Sequence, residues 1–222
     1  MNQLERKQKS IEILKANKVP YMEELPVIED VNEIEVRSAE EIAKRAISCL
    51  ISLQVACDIN SGDNIEESRE FFKGFLDKYE VKEELTEAEM KIIFGNPEKQ
   101  DVINMAWKYE AYWTLIWALG IVDKLEYPSQ ICDCNFAIHA VADCEDFNDF
   151  MKTVRLKSID EILDEADLIY RYNWACVDAR IHGKNPPADL DSGVVFERHW
   201  GLNWLIGKGT YNYNWDSVST DT

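Results

Sequence analysis

SAEEIAKRAISCLISLQVACDINSG, residues 38–62, is the stretch whose reading decides the fold class. Ser38, followed three residues later by Glu41, is a capping box: each side chain satisfies a backbone N–H of the other at a helix start. The run AISCLISLQVAC behind it, 46–57, is apolar on nearly every side. A helix without a polar face has to be surrounded by other elements. SGDN at 61–64 breaks it. The stretch therefore predicts an all-α protein packed around one central helix.

Helical signals continue outward from this centre. Thr86 with Glu89 and Ser158 with Glu161 repeat the capping box. Residues 65–79 form an amphipathic helix through Ile65, Phe71, Phe72, Phe75 and Leu76. A short helix ends at Gly95. One longer helix spans 98–119, with Pro97 in its first turn and Gly120 as its stop. ICDCNFAIHAVADC, 131–144, predicts a short strand or turn, then a helix capped by Asp133. Residues 145–154 make another short helix. A long helix runs from 159 to near Gly183, and VVFERHWGLNWLIG, 194–207, is the last.

The ends are distinctive too. Residues 2–17 predict a helix with Leu4, Ile11 and Leu14 on one side, and its many bases suit docking onto an acidic body. Residues 19–36 carry two Pro and six acids with no base, an extended connector. Residues 208–222 hold Tyr211, Tyr213, Trp215 and Val218 alternating at first with polar residues, which predicts an extended tail docked on the body. The expected architecture is a single compact helical domain over 1–222, of about eight helices.

Hydrophobic residues make up 46% of the 222 and aromatics 11%, so a sizeable core is available and disorder is excluded. The formal charge of −18 repels phosphate backbones, so nucleic acid is not expected as a partner. It would attract a basic protein. No run approaches the about 18 apolar residues of a membrane span, and the opening segment lacks the apolar core of a secretory signal. Six Cys without a leader read as reduced thiols, so the expected location is cytoplasmic.

Several charges fall where the pattern asks for apolar residues. Glu110 sits inside the stripe Ile103, Ala106/Trp107, Ala111/Thr114, Trp117. Arg198 sits inside Val194, Leu202, Leu205, and Arg45 between Ile42 and Cys49. A buried charge needs a partner, so Glu110 is expected to bond to Arg198 or, failing that, Arg45. Such a pair either fixes helix register or lines an aromatic pocket in which Arg grips a small anionic ligand. Asp167 and Arg171 read as a surface i, i+4 pair, with Asp178 further along the same helix.

Cys132, Cys134, His139 and Cys144 have the residue types of a zinc site. Only one residue separates the first two thiols, too few for the usual turn. On a helix Cys134 and His139 diverge. Neither metal nor cofactor is expected. His199 reads as a core residue and His182 as a helix C-terminal cation. Nucleophile-elbow, phosphate-loop and H-E-x-x-H motifs are missing, and 42 acids make a catalytic carboxylate pair unpickable.

WKYEAYWTLIWALG (107–120), RYNWACVDAR (171–180), ERHWGLNWLIG (197–207) and the closing WDSVSTDT (215–222) together resemble an uncharacterised bacterial family, catalogued as domain of unknown function 4272. The resemblance runs from RKQKSIEILKANKVPY (6–21) to the last residue. It implies no reaction or ligand. It does imply that Arg45, Glu110, Arg171, Trp174, Arg180, Glu197, Arg198, Trp204 and Asp216 fall in the family's characteristic segments. These are the candidate residues of a pocket or buried network. Two functions stay open. One is an acidic binding protein for a basic partner, of the regulatory or toxin-neutralising kind. The other is a small-molecule-binding protein or hydrolase using the Trp/Arg/Glu cluster. An open aromatic cleft holding the charged residues would favour the second.

Overall fold

A computed structural model describes residues 1–208 and 213–222. The chain is helical: among the described residues there is no strand, only an isolated bridge between Glu35 and Gly207. Also among the described residues, no helix is long and apolar enough to cross a membrane. The chain divides into two compact units, one of residues 1–37, 124–131 and 157–222, the other of 38–123 and 132–156.

The second unit is built on α2 (Ala39–Ser61), the helix with no polar face. Thirteen of its residues are buried, from Ile42 to Ala56. Against it pack α3 (Ile65–Lys78), α4 (Glu87–Phe94), α5 (Lys99–Trp107) and α6 (Tyr109–Ala118), with α7 (Cys134–Ala142) on α6. A seven-residue helix, α8 (Phe147–Thr153), follows. Ser38/Glu41 and Thr86/Glu89 form the expected capping boxes, and Asp133 caps α7 by accepting from the Phe136 N–H.

The expected single helix over 98–119 is two helices, α5 and α6. The ladder is interrupted at Lys108, where ψ is −2°. The break lets the two pieces present different faces, which is why Trp107 is exposed while Trp117 is buried. Pro97 lies just outside α5, whose N-cap is Glu98. Gly120 ends α6 at φ +73°, and a Cβ there would fall 2.1 Å from the Arg155 carbonyl, so only glycine fits. Arg155 N–H bonds back to the Leu119 carbonyl at 2.8 Å.

The first unit centres on α9 (Ile159–Ile181), against which α1 (Gln3–Ala16) and α10 (Ser192–Ile206) pack. The basic helix α1 docks as its charge suggests: Arg6, fully buried, reaches Asp160 at 2.9 Å and Asp164 at 3.0 Å, and Lys9 reaches Asp164 at 2.6 Å. Leu4 does not join Ile11 and Leu14 but is exposed, because the Arg6 pairing sets which side of α1 faces α9. The connector over 19–36 is extended with turns, anchored by buried Val19 and Leu25.

The tail is clipped by main-chain carbonyls. Trp200 Nε1 donates to Trp215 O at 2.9 Å, Asn203 to Ser219 O at 2.8 Å, and Asn173 to Thr220 O at 3.0 Å. Trp215 is 3% exposed and meets Trp204 edge to face at 5.3 Å. Over Trp215–Ser217 the tail is a 3₁₀ turn rather than extended, nucleated by Asn214 accepting from the Asp216 N–H. Tyr211 and Asn212 of the expected alternation lie outside the described residues. Trp215→Ala removes a fully packed aromatic, so its expected cost is about 3–5 kcal/mol of unfolding free energy, read by urea denaturation. Loss below about 1 kcal/mol would mean the tail contributes nothing to the fold.

Candidate functional site

Each buried charge has to be given a partner or a proton. In the second unit Arg45 forms an ion pair with Glu89, an acid the sequence reading did not put forward, and donates to the Glu84 carbonyl at 2.9 Å. Glu89 is 0% exposed and also accepts from the Thr86 N–H at 3.0 Å. The acid of a capping box is thus also the counterion of a core arginine. Glu110, 1% exposed, accepts from the main-chain N–H of Cys132. It belongs to the second unit and Arg198 to the first.

Cys132 and Cys134 come together at the start of α7, where Cys134 Sγ faces the Cys132 carbonyl at 3.7 Å. Burial pushes the Cys134 thiol up from its ordinary value and the Cys132 thiol far higher. His139 turns to Asp143 at 3.0 Å and Cys144 to the Ala140 carbonyl. Among the described residues no three His, Cys, Asp or Glu are arranged to hold a metal ion.

In the first unit Asp167 and Arg171 are not a surface pair. They are 0% and 1% exposed and joined at 2.8 and 2.7 Å through Nε and Nη2. Arg171 also donates to the Pro26 carbonyl at 3.3 Å, tying the connector to α9. The surface reading failed because both side chains are buried in the first unit, where the connector reaches Arg171 through the Pro26 carbonyl, which no periodicity announces. Trp174 is half-buried, Arg180 exposed in the last turn, Glu197 buried, and Asp216 half-buried in the tail turn. Trp204 is buried, with the Arg37 guanidinium 4.0 Å from its ring centroid.

Of the candidate residues, Arg198 alone lines a pocket in the first unit, a cavity of about 210 Å³. Its floor is α9 and α10, and its rim comes from the end of α1 and residues 125–128. The rim segment is held in place by two bonds: Tyr127 Oη donates to Ala188 O at 2.6 Å, and Asp191 N–H to Pro128 O at 2.8 Å. Arg198 Nη1 donates to the Glu126 carbonyl at 2.6 Å. Tyr127 and Tyr172 meet edge to face at 5.7 Å.

The polar side chain that the sequence reading missed is Glu165. At 100° per residue, the acids of α9 point in different directions: Asp164 to Arg6 and Lys9, Asp167 to Arg171, and Glu165 into the pocket. No hydrogen bond is made to its carboxylate among the described residues. Burial raises its pKa to about 7; Arg198 and Lys9 pull it down less, and Asp164 adds to the rise. A signal existed: Glu165 interrupts the stripe Ile162, Ile169, Tyr172 just as Glu110 interrupts its own. Among 42 acids it had no local mark to separate it from Asp164 or Asp167.

His199, 1% exposed, is the core residue expected, with burial lowering its pKa to about 3. It stays neutral in the fold, so its contribution is present above about 6.5 and lost as pH falls toward 3. Glu165 has the opposite sign. Its folded pKa is raised, so it weakens the fold progressively from pH 4.5 to 7, and fully above 7. Glu165→Gln is therefore expected to raise stability at pH 8 by about 1–3 kcal/mol and to leave it unchanged at pH 4.5. Thermal melts of both proteins at the two pH values check this, and a gain equal at both would contradict it.

A family model described as domain of unknown function (DUF4272) matches residues 6–218. No curated protein and no solved structure matches the chain.

Proposed function

The chain belongs to that family, and we propose that its function is to bind a small molecule in the pocket walled by α1, α9, α10 and residues 125–128. One observation carries the reading: an unpaired carboxylate, titrating near neutrality, faces a cavity of about 210 Å³ between apolar and tyrosine side chains. A strongly perturbed titratable group in a cleft is the usual mark of a functional site. A group kept for structure alone would be paired, as Asp164 and Asp167 are.

The charge of −18 keeps a basic partner protein in view, but it is spread along the chain and points to no one surface. The pocket does point to one place, and it holds Arg198 among tyrosines. A second reading has its own support. A carboxyl titrating near 7 is suited to proton transfer at physiological pH, so a bound substrate could be deprotonated by Glu165. The six free cysteines suit a reducing, cytoplasmic setting for either role.

Leu168→Trp places an indole in the cavity from a half-buried position. In a thermal-shift screen of a fragment library, compounds that stabilise the wild type are expected to lose their effect on this variant. Hits that stabilise both proteins equally, or a screen without hits, would overturn the pocket reading.

A further inference from the structure

The ligand class follows from which pocket group lacks a partner, and this step rests on the pocket reading above. The charged groups around Glu165 are Lys9, Asp164 and Arg198, with Glu126 on the rim. Lys9 is bonded to Asp164 at 2.6 Å. Arg198 donates to the Glu126 carbonyl at 2.6 Å. The Glu126 side chain pairs with Lys124 at 2.8 Å. Tyr127 Oη is spent on Ala188 O. Glu165 is left as an acceptor without a donor, beside the two tyrosine rings and apolar Ile13, Leu168 and Leu202.

We propose that the pocket takes a small organic cation: an ammonium that bonds to the Glu165 carboxylate and lies against tyrosine, with an apolar body filling the space between α1, α9 and α10. Three features converge on this class. A half-buried carboxylate facing a cavity is most stabilised by a bonded cation. Aromatic faces attract an ammonium and do not attract an anion. Apart from Asn17, Glu126 and Arg198, the remaining lining is hydrocarbon, which rewards an apolar body. A carboxylate ligand would have to sit beside Glu165 and add like-charge repulsion, while Arg198, the cation of the lining, is already bonded to the Glu126 carbonyl.

The same chemistry fixes a pH dependence. The amine stays protonated between pH 6 and 8, so the proton that matters is on Glu165. With its pKa near 7, the ionised fraction falls by about tenfold from pH 8 to pH 6, and amine affinity falls with it. Tyr172 and Tyr127 are both pushed upward by burial and stay neutral across this window.

The test uses three probes of one shape and three charges: benzylamine, benzyl alcohol and benzoate. Binding to the full chain is followed by NMR titration at pH 8 and pH 6. The proposal expects benzylamine to bind at least about tenfold more tightly than benzyl alcohol at pH 8, and to lose that margin at pH 6. Glu165→Gln should reduce benzylamine to the level of benzyl alcohol while leaving benzyl alcohol unchanged, which also shows that the variant is folded. Preference for benzoate, or benzylamine binding that ignores both pH and the Gln variant, would overturn the cation assignment and leave the pocket reading standing. If none of the three binds, or Leu168→Trp alters none of them, the pocket reading itself falls.

Discussion

A carboxylate taken out of water needs a bonded cation, a set of donors, or a proton, and the three acids that open the middle of α9 meet this requirement in different ways. Asp164 takes Arg6 and Lys9, and so fixes α1. Asp167 takes Arg171, whose remaining reach holds the connector through Pro26. Glu165 has no such partner and faces a cavity. The first unit is arranged around this division. Two of the acids position the elements that make the pocket walls, and the third is what the walls enclose.

The second unit meets the same constraint at Arg45 and Glu89. Arg45 would be costly inside a helix as apolar as α2, and Glu89 answers it from the first turn of α4. Because Glu89 also caps α4, the start of that helix and the charge balance of the core are one arrangement. Removing Glu89 would strand Arg45 and uncap α4 together, a loss of the about 3–5 kcal/mol typical of a broken buried pair. Arg69 is satisfied by carbonyls instead, reaching Ile92 O at 2.7 Å and Gly95 O at 2.7 Å and so closing the end of α4.

Glu165 and His199 show how burial acts in both directions within one unit. Both are neutral forms favoured by loss of water. For the histidine this is harmless at neutral pH, since the imidazole is already unprotonated there. For the glutamate it is a standing cost at neutral pH. Real proteins break the rules of polar satisfaction at functional sites, which is why the pocket and not the aromatic cluster at Trp204 and Trp215 is the centre of the functional reading.

By itself the sequence determined the local structure. Capping boxes at Ser38, Thr86 and Ser158, the apolar run of α2 and the cap at Asp133 are set by neighbours within four residues, and the fold class follows from them. That Glu110, Arg45 and Arg198 are buried was equally legible, since each breaks an apolar stripe. Partner choice was not. Arg45 meets an acid 44 residues away, and the Asp167–Arg171 pair is buried, with Arg171 bonded to a connector carbonyl 145 residues away. Glu165 differs from Asp164 by one helical step of 100°, and only the placement of α1, α10 and residues 125–128 makes one of them an ion-pair member and the other the open acceptor of a cavity. Periodicity reports which face of a helix avoids water; which side chain then meets it there is decided by segments distant in sequence, and only the tertiary structure brings them together.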